Sequence, residues 1–327
     1  MRYKEVEKLK LYKYMSPTVG HKFLSEPYLR LTPRSCLNDP FEVMPSKTTR
    51  LRLRELSKNH GNTEESSERF SVELNGFLDL HGVISLSETY DNLLMWAHYA
   101  GEHKGIVVEF EIDESEPLST FLLSDVPPSS DSFFDRVKYR KSRSFPHEFD
   151  ENHISVVGKH YYLTKSDEWI YEKEHRYILP FTAANKVIVD TRNEAGREDL
   201  KYLGIEYECG EFVDISIYFE SAVDFGKWSE VWKRSHSNGF IFLVRIDDRS
   251  ISQLYIGANA NNDEFNDLLE NVYDGSPYIS YRDIFDGSYH GVYKAKVNPD
   301  RFELDFALWG SESANKSMQP FADAPAD

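Results

Sequence analysis

The chain has 327 residues, 40% of them hydrophobic and 28% charged, which suits a folded core and sets aside an intrinsically disordered protein. Its 38 Lys and Arg against 55 Asp and Glu give a formal charge of −17, a balance that repels phosphate backbones and anionic membrane surfaces. Nonspecific nucleic-acid binding is therefore not expected, although a local basic groove fits within such a chain.

A strand over 11–15 opens the predicted fold and a second follows over 28–32. Residues 33–40 read as a loop, because Asn38 and Asp39 ahead of Pro40 form turns through their own side chains. A polar stretch over 46–68 leads into a helix that ends at Leu80. Residues 83–87 read as a strand. Asp91 is then the expected cap of a helix in which Leu93, Trp96, Ala97 and Ala100 recur at helical spacing, with Gly101 as its terminator. Trp96 belongs to the core stripe of that helix, while His98 and Tyr99 fall off it. Residues 106–112 alternate, with Ile106, Val108, Phe110 and Ile112 on one face and Glu109 and Glu111 facing solvent on the other.

From 113 to 150, Ser, Pro and Asp surround a strand at 136–140. A helix over 154–164 precedes a strand over 169–179, which sets Glu172, Glu174 and Arg176 on one side. Strands at 186–190, 212–218 and 240–246, helices at 227–236 and 262–273, and closing strands at 291–297 and 302–308 follow. Residues 310–327 are small and polar and read as a disordered tail. The 20 Tyr and 21 Phe favour strands. The expected architecture is α+β, a mixed, largely antiparallel twisted sheet core with flanking helices, in a single domain over 1–309.

Cys36 and Cys209 are far apart and supply neither a disulfide framework nor zinc spacing. The N-terminal segment is charged, and no run approaches the roughly 20 apolar residues of a membrane span. The expected location is cytoplasmic, with no membrane partner. Cys36 reads as an inert small core residue. No glycine-rich phosphate loop occurs, and no metal is expected.

The candidate catalytic pair is Glu172 and Glu174. On a strand, side chains at i and i+2 share a face about 6.8 Å apart at Cα. Two carboxylates so placed can divide the work of stabilising a sugar-ring cation and activating a nucleophile, as glycosidases do. Cleavage of NAD at its nicotinamide–ribose bond passes through a similar cation. The competing reading is a salt bridge of Glu172 and Glu174 with Arg176 or a neighbouring Lys or Arg. His98 and His103, beside Lys104, either serve a phosphate or proton near neutral pH or simply pack at the helix end. Asn38 and Asp39 either form the turn or line a pocket.

Five motifs in order resemble a bacterial domain-of-unknown-function family, numbered 2971. They are Leu11-Tyr12-Lys13-Tyr14, Asn38-Asp39-Pro40-Phe41-Glu42, Ser85-Leu86-Ser87, Met95-Trp96-Ala97-His98-Tyr99 with His103-Lys104-Gly105, and Lys165 to Arg176, which contains Trp169-Ile170-Tyr171-Glu172-Lys173-Glu174-His175-Arg176. The likeness covers about residues 11 to 180, with a weaker one around 254–258, and implies no activity. A second resemblance is to ADP-ribosyltransferases of the Arg–Ser–Glu class, which carry an early basic residue, a Ser-x-Ser strand and then Glu-x-Glu. It implies NAD as the substrate. Glu174 would hold the nicotinamide ribose 2′-hydroxyl and stabilise the cation, and Glu172 would position the acceptor. Ser85 or Ser87 would brace the site, and Arg30 or Lys13 would meet the phosphates. Ser-Leu-Ser stands here where that class has Ser-Thr-Ser.

Asn38, Asp39, His98, Tyr99 and Arg176 complete the expected substrate-binding set for a dinucleotide. The expected function is an NAD-cleaving, ADP-ribosyltransferase-like enzyme of a bacterial stress or defence system. Two alternatives stand beside it: a non-enzymatic recognition or sensor module, and a metal-dependent nuclease or phosphodiesterase built from Asp39, Glu42, Glu109 and Glu172.

Overall fold

A computed structural model describes residues 8–60, 68–123, 132–146, 154–208, 210–217, 219, 221–263, 265 and 291–309. Its elements begin β1 (Leu9–Met15), α1 (Pro17–Ser25), β2 (Tyr28–Arg30), β3 (Thr32–Pro33), α2 (Lys47–His60), α3 (Arg69–Leu80), β4 (His81–Ser87), α4 (Leu93–Tyr99) and β5 (Ile106–Ile112). They continue β6 (Phe133–Arg136), β7 (Lys138–Arg140), α5 (Ile154–Tyr162), β8 (Thr164–Ser166), β9 (Glu174–Pro180), β10 (Lys186–Asp190) and α6 (Glu194–Leu203). The last are β11 (Phe212–Ser216), α7 (Ala222–Lys233), α8 (Ser235–Asn238), β12 (Phe240–Arg245), β13 (Ile251–Ile256), β14 (Val292–Val297) and β15 (Leu304–Leu308). The class is α+β, with antiparallel pairing predominant and β13–β14 and β7–β8 parallel. Among the described residues, no helix is long and apolar enough to cross a membrane.

The chain forms two compact units. The first comprises Met1–Pro27, Leu86–Thr120 and Asp247–Asp327, the second Tyr28–Ser85 and Phe121–Ile246. One boundary falls inside β4, after Ser85, so no linker composition announces it, and the sequence reads as one domain over 1–309. The expected tail over 310–327 and most of the expected helix over 262–273 lie outside the described residues.

In the first unit β1 pairs with β5 along its whole length, from Leu9 opposite Ile112 to Met15 opposite Ile106. β13, β14 and β15 extend that sheet beyond β5. Asn92, not Asp91, caps α4: its side chain accepts from the backbone N–H groups of Leu94 and Met95 at 3.0 and 3.1 Å. Gly101, at φ +56°, ends the helix as its sequence position predicts. Glu109 departs from expectation. It is 1% exposed rather than solvent-facing, because Lys10 Nζ, Ser252 Oγ and Tyr255 Oη donate to its carboxylate at 2.8, 2.8 and 3.0 Å. A strand carboxylate reads as exposed only where no donors roof it.

In the second unit β3, β4, β9 and β6 form one sheet and β11, β10, β12 and β2 another, while β7 pairs with β8. Helices α2, α3 and α5 pack over the first of these, burying Leu53, Leu74, Leu78, Val157, Tyr162 and Ile178. The approach of α3 to α5 is close at Gly158, where a Cβ would stand 2.2 Å from the Phe77 ring. The expected strand over 169–179 starts five residues late. Residues Asp167–Glu172 wind as a 3₁₀ turn, Lys173 is left-handed at φ +44°, and β9 begins only at Glu174. Ser166 followed by two acids is a helix-start signature, and it outweighs the apparent alternation. Glu172 and Glu174 are therefore not strand neighbours on one face.

Candidate functional site

Two local devices aim carboxylates at the same point in the second unit. At the Asn38-Asp39-Pro40 turn, Asp39 Oδ1 accepts from the Phe41 N–H at 2.9 Å, and its carbonyl accepts from the Glu42 N–H at 3.1 Å. The chain is thereby folded so that Glu42 points inward. The next residue, Val43, is buried at φ +51°, a conformation that costs a β-branched residue about 1–3 kcal/mol. The second device is the left-handed Lys173 between Glu172 and Glu174, which turns both acids toward β8. Backbone strain thus flanks each acidic segment.

Between them sits Lys165. Its ammonium lies 2.5 Å from Glu172 Oε2, 3.0 Å from Glu42 Oε1 and 3.4 Å from Glu174 Oε2, with the Trp169 ring centroid at 5.0 Å. Arg176, two residues along β9 from Glu174, closes the cluster. Its Nε and Nη2 donate to the two Glu174 oxygens at 2.8 and 2.9 Å. Nη2 also reaches Glu42 Oε2 at 2.5 Å, and Nη1 donates to the Tyr162 carbonyl at 2.8 Å. All five side chains are at most 6% exposed. Three acids and two bases are thus held out of water in one network.

The charges settle one another. Burial pushes the Glu174 carboxyl upward, but Arg176 and Lys165, with hydrogen bonds from Arg176 and Ser85, pull it down to about 2. Burial also works against the Lys165 ammonium, yet the carboxylates of Glu174, Glu42 and Glu172 outweigh it and raise its pKa. Lys165 is consequently a fixed cation at neutral pH, not a base or nucleophile. The Tyr139 hydroxyl, which accepts from the Glu174 N–H at 2.9 Å, is raised by burial and by the neighbouring Glu174 and Glu172.

A cavity of about 300 Å³ opens onto this network, lined by Asp39, Phe41, Glu42, Arg140, Lys141, Arg143, Thr164, Lys165 and Ser166. Four cationic side chains face two acidic ones there, in a chain of formal charge −17. Glu42 Oε1 has the Lys165 ammonium, 3.0 Å away, as its ionic partner. Among the described residues, no group of three or more His, Cys, Asp or Glu side chains is placed to hold a metal ion. The ammonium of Lys165 occupies the centre of the three carboxylates.

Residues 95–177 match the family described as a protein of unknown function, DUF2971. The DUF2971 match runs from α4 into β9 and takes in Lys165, Glu172, Glu174 and Arg176, whereas Asp39 and Glu42 lie before it. The family resemblance read from the Met95-Trp96 and Trp169-to-Arg176 motifs is to this family. No curated protein and no solved structure matches the chain, so the likeness to ADP-ribosyltransferases rests on the sequence pattern alone.

Of the expected residues, the fold gathers Glu172, Glu174, Arg176, Ser85 and Asp39. Ser85 on β4 hydrogen-bonds Glu174 on the adjacent β9, and Asp39 lines the cavity. Asn38 is exposed in the turn. Arg30 is exposed on β2, opposite Leu243 in the other sheet of the second unit. Lys13, Ser87, His98 and Tyr99 belong to the first unit, where the Ser87 hydroxyl accepts from the Thr89 N–H at 3.3 Å. Lys165 opens the last motif of the resemblance without a role assigned to it, and no motif includes Arg140, Lys141 or Arg143. The signal for the last three is a run of cations in an acidic chain.

Proposed function

We propose that the second unit binds a phosphate-bearing small molecule in the cavity above Lys165. The observation that carries this is Lys165, buried at 5% exposure, its ammonium fixed by three carboxylates, and still forming part of the cavity wall beside Arg140, Lys141 and Arg143. Five buried charges are a poor means of stabilising a fold, since desolvation consumes most of the Coulombic gain. They are a good means of presenting a cation in one orientation, and clusters of this kind concentrate at functional sites. Guanidinium and ammonium groups converging on a hollow suit phosphate oxygens.

Calorimetric titration with inorganic tripolyphosphate tests the proposal. Binding is expected to weaken with added salt, and Arg140→Ala and Lys141→Ala are each expected to weaken it about tenfold, the range for a lost charged hydrogen bond. Absence of heat from the wild-type protein, or equal binding by the double variant, overturns it.

Cleavage of NAD is the chemistry proposed for that site, and the Ser85–Glu174 hydrogen bond favours it. A serine on β4 bracing an ionised glutamate on β9 is the pairing that the transferase resemblance implies. In this reading Asp39 and Glu42, which line the cavity, are the carboxylates open to a bound ribose, and Glu172 and Glu174 hold Lys165 behind them. We infer a cytoplasmic setting in a bacterial stress or defence system. Wild-type protein given NAD and a bacterial lysate as acceptor should release nicotinamide. Tripolyphosphate binding without such release identifies a recognition module instead.

A further inference from the structure

We propose that the second unit carries a docking strip for single-stranded nucleic acid, formed by the cationic run from Arg136 to Arg143 and the start of α2. This partner is separate from the small molecule of the cavity, so the proposal goes beyond the phosphate-binding reading. The formal charge of −17 is unevenly divided. The first unit holds 13 Lys and Arg against 26 Asp and Glu, the second 25 against 29. Within the second unit, residues 136–143 contain five cations and no acid. An acidic chain thus keeps one surface that attracts a polyanion, which the rest of the molecule repels.

The backbone sets these cations in a row. Arg136, at the end of β6, and Lys138 and Arg140, on β7, are exposed, while Val137 between them is buried and the Tyr139 hydroxyl turns in to the Glu174 N–H. Successive members of the row stand about 6.8 Å apart on one face. That is close to the step between neighbouring phosphates of an extended strand. Lys141 is exposed next, and Arg143 Nη1 donates to the Met44 carbonyl at 3.2 Å. This contact brings the run to α2, where Lys47 and Arg50 are exposed. Lys159, Lys186 and Arg192 in the same unit each have an acidic partner. Among the described residues, Lys47, Arg50, Lys138, Arg140 and Lys141 form no ion pair. Phe41 decides what kind of polyanion fits. Its ring is 61% exposed, with the Arg143 guanidinium carbon 5.4 Å from its centroid. Bases of a single strand stack on aromatic side chains beside a cationic groove. The paired bases of a duplex, and the side chains of an acidic peptide, offer the ring no free base.

Fluorescence anisotropy of the full chain with fluorescein-labelled oligothymidylate and oligouridylate tests the proposal. Affinity is expected to fall with salt, with a log–log slope of about −0.7 for each phosphate neutralised, and so about −2 or steeper for the row. Lys47→Gln combined with Lys138→Gln, both at exposed positions that do not line the first cavity, should weaken oligonucleotide binding about tenfold or more. The same double variant should keep its tripolyphosphate affinity and its unfolding midpoint. Phe41→Ala should cost about fivefold or more through lost stacking. If neither oligonucleotide binds, or the double variant binds them as wild type does, the strip falls. Tripolyphosphate binding in that case leaves the cavity reading standing. Polyglutamate or duplex DNA bound as tightly as the oligonucleotides, or full affinity in Phe41→Ala, overturns the assignment to a single strand.

Discussion

Replacing Arg176 by methionine is expected to lower stability by about 3–5 kcal/mol, the largest effect of any single substitution we anticipate in the second unit. The guanidinium contacts Glu174 through two nitrogens, Glu42 through one and the Tyr162 carbonyl through another, and it is 1% exposed. Without it, three buried carboxylates share the single ammonium of Lys165. A methionine of similar volume fills the space but leaves acceptors with no donor, so the penalty is electrostatic rather than steric. The partner variant Glu174→Leu is expected to be costly alone and partly restorative in the Arg176→Met background, since the pair then becomes apolar together. A coupling energy of about 2 kcal/mol or more in this double-mutant cycle is the expected result of denaturant unfolding. Additive losses, or a single-variant cost under about 1 kcal/mol, would mean that the network is wet.

The parts of this architecture that local pattern controls were legible, and the parts that long-range contact controls were not. β1 and β5 announce themselves by strand-period apolar residues, and α4 by helical spacing around Trp96. β13 carries no clean strand signal, because a register shift between Ile251 and Gln253 breaks its alternation. α6 carries a weak periodic signal, because only two buried positions beyond Gly196 mark its inner face, although Asn193 and Gly204 stand at its ends as cap and terminator. α1 is a nine-residue helix with Pro17 at its start and Gly20 pressed against Ile106, too short for its period to stand out.

The same division runs through the site. Glu172, Glu174 and Arg176 lie within five residues of one another and stand out together in the sequence, although a 3₁₀ turn and a left-handed Lys173, not a continuous strand, carry the first two. Glu42 joins them from 134 residues away, by way of a turn whose Asp39 looked self-sufficient. No periodicity encodes a contact of that separation. Lys165 had a further disguise, since a lysine is assumed to reach solvent unless carboxylates from three segments surround it.

Substitution of Glu174 by glutamine gives the second large effect, and its pH dependence distinguishes a charged network from a merely packed one. Glutamine preserves shape and an acceptor for Arg176 but cannot carry charge. The folded protein holds the Glu174 carboxyl at about 2, against 4.5 when it is not perturbed. A carboxyl depressed on folding contributes stability that is complete above its unfolded pKa and disappears as pH falls through the folded one. Wild type should therefore exceed Glu174→Gln by about 3 kcal/mol near pH 7, from 1.36 kcal/mol per unit of displacement. That advantage should begin to shrink below about pH 4.5 and vanish near pH 2, where glutamic acid and glutamine are alike in charge. Subtracting one unfolding profile from the other cancels the titrating groups outside this network, including the buried Lys294 of the first unit, whose pKa burial lowers to about 8. A difference independent of pH between 2 and 7 would place the cost in packing, and Lys165 would then lack the fixed ionic frame on which anion capture depends. A difference that closes on acidification would locate the organising force of the site in Glu174, even if that carboxylate never touches a ligand.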